Sequence, residues 1–283
     1  MGTDARSADG DSLPFLRVCG LTKHYVRRSG IGRKRLPIAA VRGVDFDTPP
    51  GKTLALVGSS GSGKSTVARC VSRLERPDAG QIWVGGTDIS RLGNRDLRRF
   101  RTEIQMIFQD AVTSMNPRFS AAQIIEEPLL IQGRVSKKER RNRAQELMSE
   151  VGLSPNSADR SVMEFSGGQR QRLAIARALA LQPKLLVLDE ALSGLDLSTE
   201  AQSTNLLLEL QAAHSLTYLF ISHDLPLVAR LADAIAVISA GRIVEQGPTP
   251  QVISSPNHPE TKALLASATT LQKTFADMLG VSG

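Results

Sequence analysis

The chain of 283 residues has only two cysteines, Cys19 and Cys70, far apart and in no metal-ligand spacing. That excludes a disulfide scaffold and a cysteine-held iron–sulfur cluster, and it fits a reducing compartment. Aromatic residues make up 4% of the sequence, with a single tryptophan. Basic residues cluster at Arg27-Arg28, Arg33-Lys34-Arg35, Arg98-Arg99 with Arg101, and Lys137-Lys138 through Arg143, with a single aromatic residue, Phe100, inside them. A surface that stacks nucleic-acid bases needs aromatics interleaved throughout. The net charge of +7 leaves two readings for these clusters, solvated faces or contacts with phosphate and anionic membrane surface. No apolar run approaches the roughly 20 residues of a membrane span. The opening "MGTDARSADGDSLP" lacks the apolar stretch of a signal peptide and reads as a polar tail. The expectation is a soluble, cytosolic chain.

Apolar residues make up 41%, enough for one large core or two modest ones. Short β-rich runs recur: "TLALVG" (53–58), "QIWVGG" (81–86), "IQMIF" (104–108), "LLVLDE" (185–190), "TYLFIS" (217–222), "AIAVIS" (234–239) and "RIVEQG" (242–247). Those ending at Gly58, Glu190 and Ser222 are almost wholly apolar, as strands buried on both faces of a parallel sheet should be. Helical stretches follow them, the alternation of an α/β fold. From Asp110 to Phe165 no convincing strand appears, and "KKERRNRAQELMSEVG" is charge-rich and helix-forming. That section reads as a helical lobe inserted into the sheet domain. The segment from Arg27 to Ile38 reads as a surface loop or hairpin between early strands. The tail "TLQKTFADMLGVSG" (270–283) has helical spacing and reads as a packing helix.

"LVGSSGSGKST" sets Gly58, Gly63, Lys64 and Ser65 in the pattern G-x-x-x-x-G-K-[ST], after a buried strand and before a helix. Glycines let backbone N–H groups close around phosphates, Lys64 reaches the β and γ oxygens, and the Ser65 hydroxyl meets Mg²⁺. Asp189 ends the strand "LLVLDE", placed to hold Mg²⁺ through water. Glu190 beside it either deprotonates an attacking water or caps the next helix. Gln109 and His223 follow apolar strands, where α/β sheets bind ligands. Gln109 could reach Mg²⁺ and water, and His223 the γ-phosphate; each could equally be a satisfied buried polar residue.

"EFSGGQRQRLAIARALA" (164–180) raises a separate question. It starts a helix with the pair Gly167-Gly168, poor helix formers, followed by Arg170 and Arg172 where the macrodipole favours negative charge. An anion on that helix start would account for both, yet the chain already has a phosphate site.

With Gly58–Thr66, Gln109, "FSGGQ", Asp189-Glu190, "SGLD" and His223 in this order, the chain resembles the nucleotide-binding subunit of an ABC transporter over about residues 15 to 265. The resemblance implies a mainly parallel ABC ATPase core of the P-loop NTPase class, with an antiparallel β subdomain and an inserted α-helical subdomain. It divides the chain into a tail (1–14), a nucleotide-binding domain (15–265, helical subdomain about 110–170) and a C-terminal extension (266–283). It implies ATP and Mg²⁺ as cofactors and an ATP-sandwich dimer, each ATP between one subunit's P-loop and the other's signature motif. By position, Gly58, Ser59, Ser60, Gly61, Ser62, Gly63, Lys64, Ser65 and Thr66 hold the phosphates. Ser166, Gly167, Gly168 and Gln169 form the signature. Tyr25, otherwise an ordinary packed tyrosine, is the aromatic that stacks on adenine. Ser193 to Asp196 link the composite sites. Ser65, Gln109 and Asp189 would meet the metal; Glu190, His223 and Gln109 would act in catalysis. Phe165 replaces a customary leucine and Gly194 a customary alanine.

"FQDAVTSMNPRFS" and "SSPNHPETKALLAS" resemble segments of the peptide and nickel importer group. That implies two membrane permeases, a second ATPase subunit, identical or a sister chain, and an extracytoplasmic substrate-binding protein. It places the chain peripherally on the cytoplasmic face of the inner membrane, with no nucleic-acid partner. The alternative weighed is a nucleic-acid-associated ATPase on the same cassette. The transported substrate cannot be read from the sequence, because its pocket lies in other proteins.

Overall fold

Side chains along the apolar strands point alternately into two separate cores, and that alternation organises the molecule. The computed structural model describes residues 13–27, 36–108, 115–133 and 135–267. Strands β1 (Leu16–Arg27) and β2 (Leu36–Thr48) lead to β3 (Thr53–Val57), helix α1 (Lys64–Val71), β4 (Ala79–Val84), the short β5 (Thr87–Asp88), α2 (Asn94–Glu103) and β6 (Ile104–Ile107). Helices α3 (Ala121–Gln132), α4 (Lys137–Glu150) and α5 (Gly167–Leu179) follow. The rest alternates as β7 (Leu185–Asp189), α6 (Leu197–His214), β8 (Thr217–Ser222), α7 (Leu225–Leu231), β9 (Ala234–Ser239), β10 (Arg242–Pro248) and α8 (Thr249–Ser254).

The larger sheet has six strands in the order β10-β9-β3-β8-β7-β6, parallel except for the β9–β10 edge pair. Leu54, Leu56, Leu185, Val187, Leu219 and Ile221 face one core, shared with α1 and the second sheet. Their neighbours Ala55, Val57, Leu186, Leu188, Tyr218 and Phe220 face the other, shared with the helices. A strand has a side-chain period of two, so a sheet covered on both faces needs apolar residues at every position. That is why β3, β7 and β8 are buried throughout. The smaller sheet is antiparallel, in the order β2-β1-β4-β5. Both the α/β class and the antiparallel and helical additions match the expected architecture.

The helical section is set by local chemistry. Ser120, Ser136 and Ser166 each cap a helix, and Gln123, Glu139 and Gln169 return the bond to the cap's own N–H. Such reciprocal capping satisfies two otherwise orphaned donors and fixes where each helix begins. Leu147 and Met148 of α4, Ile124 and Ile125 of α3, and Leu173 of α5 are all buried in the same core that covers the large sheet. The basic run in α4 is largely occupied within the chain: Arg141 pairs with Glu126 and Asp159, Arg143 with Glu146, and Arg140 donates to the Val135 carbonyl.

At the other end, the Glu245 carboxylate accepts the backbone N–H groups of Asn257 (2.8 Å) and His258 (3.0 Å). It thereby ties the segment after α8 to β10. Residues 259–267 are helical beyond it; the 270–283 tail, and residues 28–35 of the basic insert, lie outside the described residues.

Leu147→Ala would leave a cavity where α3, α4 and α5 meet. We expect a loss of about 2–5 kcal/mol, read from the urea unfolding midpoint.

Candidate functional site

The C-terminal ends of β3, β7 and β8 lie side by side. From them project the P-loop, Asp189-Glu190 and Ser222-His223. After β3 the chain turns through Gly58–Gly63 into α1. A Cβ at Gly58 would sit 2.2 Å from the Ile238 carbonyl oxygen, and one at Gly63 2.5 Å from that of Ala40. Gly63 also takes a left-handed φ of 111° and gives α1 no side-chain cap. Backbone therefore packs against backbone here, and the first-turn N–H groups of α1 are left for a ligand. Lys64 is buried, and its ammonium donates to the carbonyls of Gly58 (2.8 Å) and Ser59 (3.0 Å). Burial lowers its pKa, against the opposing pull of Glu190 and Asp189. Ser62 carries a buried hydroxyl with no partner among the described residues. Ser59, Ser60 and Gly61 are exposed at the loop tip, and Thr66 lies in the first turn of α1.

The Ser65 hydroxyl donates to Asp189 Oδ1 at 3.0 Å, joining the P-loop helix to the end of β7. Burial raises the Asp189 pKa, and Glu190 adds to that, while the Ser65 bond opposes it. A serine hydroxyl and a carboxylate in contact beside a buried lysine make an oxygen donor set suited to Mg²⁺. Glu190 caps no helix: the next one, α6, starts at Leu197 and is capped by Asp196. Its backbone holds a left-handed φ of 49°, a strained choice of the order of 1–3 kcal/mol for a residue with a side chain. Its N–H bonds to the Ile221 carbonyl of β8, and its carboxylate lies 3.5 Å from His223 Nδ1. The His223 side chain is 62% exposed, so it is no satisfied core histidine. Gln109 lies outside the described residues.

Ser166 is the N-cap of α5 and, with Gly167 and Gln169, is exposed. Gly168 is required sterically, because a Cβ there would meet Thr199 Cγ2 at 2.7 Å; Gly167 faces open space. Thr199 is itself fixed by Asp196, whose carboxylate accepts its hydroxyl (2.6 Å) and its N–H (2.9 Å). Those bonds hold the Asp196 carboxyl below its ordinary range. Gly194 has a φ of 76°, which an alanine would adopt only with strain. Arg172 is engaged elsewhere, donating to the Val151 carbonyl and to Gln202. No hydrogen bond or ion pair among the described residues joins Ser166–Gln169 to the P-loop. The chain thus presents two glycine-containing helix starts, with no such bond between them.

Some residues that build the site escaped the sequence reading. Buried Gln171 donates to the Ala191 carbonyl at 2.7 Å, tying the helix that follows Ser166 to the turn after Glu190. A glutamine on the inward face of α5 was the available signal. Tyr25, on β1, keeps 36% of its surface exposed and donates its hydroxyl to Glu75.

The ABC transporter family profile matches residues 41–193, more than half of the chain. A Sinorhizobium fredii protein named "Probable peptide ABC transporter ATP-binding protein y4tS" is 47% identical over 255 residues, 90% of this chain and 72% of that one. The dipeptide transport ATP-binding protein DppF of Escherichia coli is 43% identical over 258 residues, 91% of this chain and 77% of its own. Among solved structures, the dimeric ATP-binding cassette MJ0796 bound to ADP and Pi superposes with a TM-score of 0.72 at 28% identity, covering 83% of this chain and 98% of that one. The chain belongs to the ABC transporter family and is an ATP-binding, ATP-hydrolysing protein of it.

Proposed function

We propose that the chain powers peptide import, working as an ATP-sandwich dimer on two membrane permeases supplied by an extracytoplasmic binding protein. The observation that carries the catalytic part is the convergence of Lys64, the Ser65–Asp189 pair, Glu190 and His223 at the C-terminal ends of β3, β7 and β8. Lys64 would exchange its loop carbonyls for the β and γ oxygens of ATP, and the α1 amides would take up the remaining phosphate charge. Mg²⁺, when bound, would neutralise the phosphate charge; Ser65 and Asp189, with Gln109, are the residues to hold it. Glu190 would orient a water on the γ-phosphate and accept its proton at the carboxylate. His223, exposed and close to that carboxylate, would steady the γ-phosphate. Ser166, Gly167, Gly168 and Gln169 would clasp the γ-phosphate bound to a second copy or a sister chain, with Asp196 placing that clasp through Thr199.

One further observation supports a membrane partner, which the chain would meet peripherally at the cytoplasmic face; no helix among the described residues is long and apolar enough to cross a membrane. An open groove beside edge strand β6 is lined by Leu74, Met106, Phe108, Pro128 and Ile131. Ile131, Leu74 and Phe108 are exposed there, and such a patch suits a short permease helix laid between the sheet and the helical section. Peptide as the substrate rests on the names of the relatives, both of those described above being named for peptide or dipeptide transport. Nickel transport and nucleic-acid work gain no such support.

Glu190→Gln should still bind ATP but hydrolyse it about 10²–10⁴-fold more slowly, the usual worth of a general base. A steady-state rate near wild type would remove Glu190 from that role. Ser166→Arg costs α5 its cap, about 1 kcal/mol, too little to unfold the domain. It should leave ATP binding by the monomer intact while blocking ATP-driven dimerisation in sedimentation. Lost monomer binding would put the signature in the wrong place.

A further inference from the structure

Tyr25 is held by more than its own strand. Its hydroxyl donates to Glu75 and lies beside Thr66 of α1. Lys23 places its ammonium 5.9 Å from the ring centroid. That ammonium is fixed in turn by the Arg76 carbonyl (2.8 Å) and by Asp78 (3.2 Å). Asp78 also accepts the His24 N–H at 2.6 Å, and the Asp78 N–H reaches back to the Thr22 carbonyl at 2.9 Å. Residues 75–78 thus grip the strand from Thr22 to Tyr25.

Glu75 is well placed to be the fixed end of this contact. It follows α1, and its N–H bonds to the Arg69 carbonyl at 3.1 Å. Its carboxylate also lies 3.6 Å from the Arg69 guanidinium. The helix that begins at Lys64 therefore carries, at its far end, the acceptor for the Tyr25 hydroxyl. A ring on an exposed strand otherwise swings about χ1 and χ2, and a hydrogen bond at its tip removes that freedom. Stacking depends on the ring's plane, so fixing the tip before a base arrives lowers the cost of ordering it. Burial and then the Glu75 contact both push the phenol pKa up, so the hydroxyl stays a donor at neutral pH.

We propose that Glu75 is a positioning residue for the nucleotide base: by accepting the Tyr25 hydroxyl it sets the plane on which adenine stacks, and it links that plane to the helix holding the phosphates. This rests on the reading of Tyr25 as the adenine platform. It adds that base recognition is controlled from a residue that never touches the nucleotide.

The test measures binding of Mg²⁺-ATP and of Mg²⁺-tripolyphosphate, which has no base, to the full chain. Tyr25→Phe removes only the hydroxyl, and Glu75→Ala removes its acceptor together with the Arg69 pairing. Each should weaken ATP about threefold to tenfold, part of the value of one base–aromatic stack, and leave tripolyphosphate unchanged. The double variant should lose no more than either single one, and Glu75→Gln, which keeps an acceptor, should restore ATP binding. In turnover the loss should appear in KM and not in kcat. If Tyr25→Ala weakens ATP selectively but Tyr25→Phe or Glu75→Ala binds as wild type, the positioning role is overturned while the platform stands. An equal loss of tripolyphosphate in Glu75→Ala would also overturn it, showing damage to α1. If Tyr25→Ala leaves ATP and tripolyphosphate binding as in wild type, the platform and the positioning role fall together.

Discussion

A parallel sheet covered on both faces leaves its strands no side chain for chemistry. Ala55 and Leu56, or Leu186 and Val187, are committed to opposite cores. Functional groups can then stand only where the strands stop. The C-terminal ends of β3, β7 and β8 are that place, and the P-loop, Asp189-Glu190 and His223 are what the chain puts there. The Ser65–Asp189 hydrogen bond joins two of these ends directly, so the phosphate loop and the acidic pair are positioned as one unit.

The second glycine-rich helix start is built differently. Its cap, Ser166, is made rigid by the reciprocal bonds with Gln169, and Gly168 is clamped from below by Thr199. Thr199 answers to Asp196, and Gln171 answers to the turn after Glu190. A shift at Glu190 or Asp196 would therefore be felt at Ser166 through packed contacts within the same chain. In a sandwich dimer that chain of contacts would connect the two nucleotides, because each subunit's Ser166 would face the ATP of the other.

The middle of the large sheet was legible because β3, β7 and β8 are short and almost wholly apolar, and the phosphate loop because its glycines answer a steric demand that can be stated beforehand. β1 and β2 were harder. Their register shifts near Leu21 and between Lys23 and His24 break the two-residue alternation that marks a strand. The helix starts at Ser120 and Ser136 carried the S-x-x-Q and S-x-x-E signature of reciprocal caps, a local signal available in the sequence. Glu75 under Tyr25, Thr199 against Gly168 and Gln171 on the Ala191 carbonyl could not be found that way. Each pairs residues far apart in the chain, and only the fold brings them together.

The central claim is that one copy's P-loop and another copy's signature motif share a nucleotide. Two differently tagged chains, both carrying Cys19→Ser, Cys70→Ser and Glu190→Gln, would test it, one with Ser60→Cys and the other with Gln169→Cys. A short bis-maleimide should link the two chains when Mg²⁺-ATP is present and fail to do so without it. Absence of the mixed product in ATP, with each cysteine still reactive and each chain still binding ATP, would contradict a sandwich between two copies of this chain.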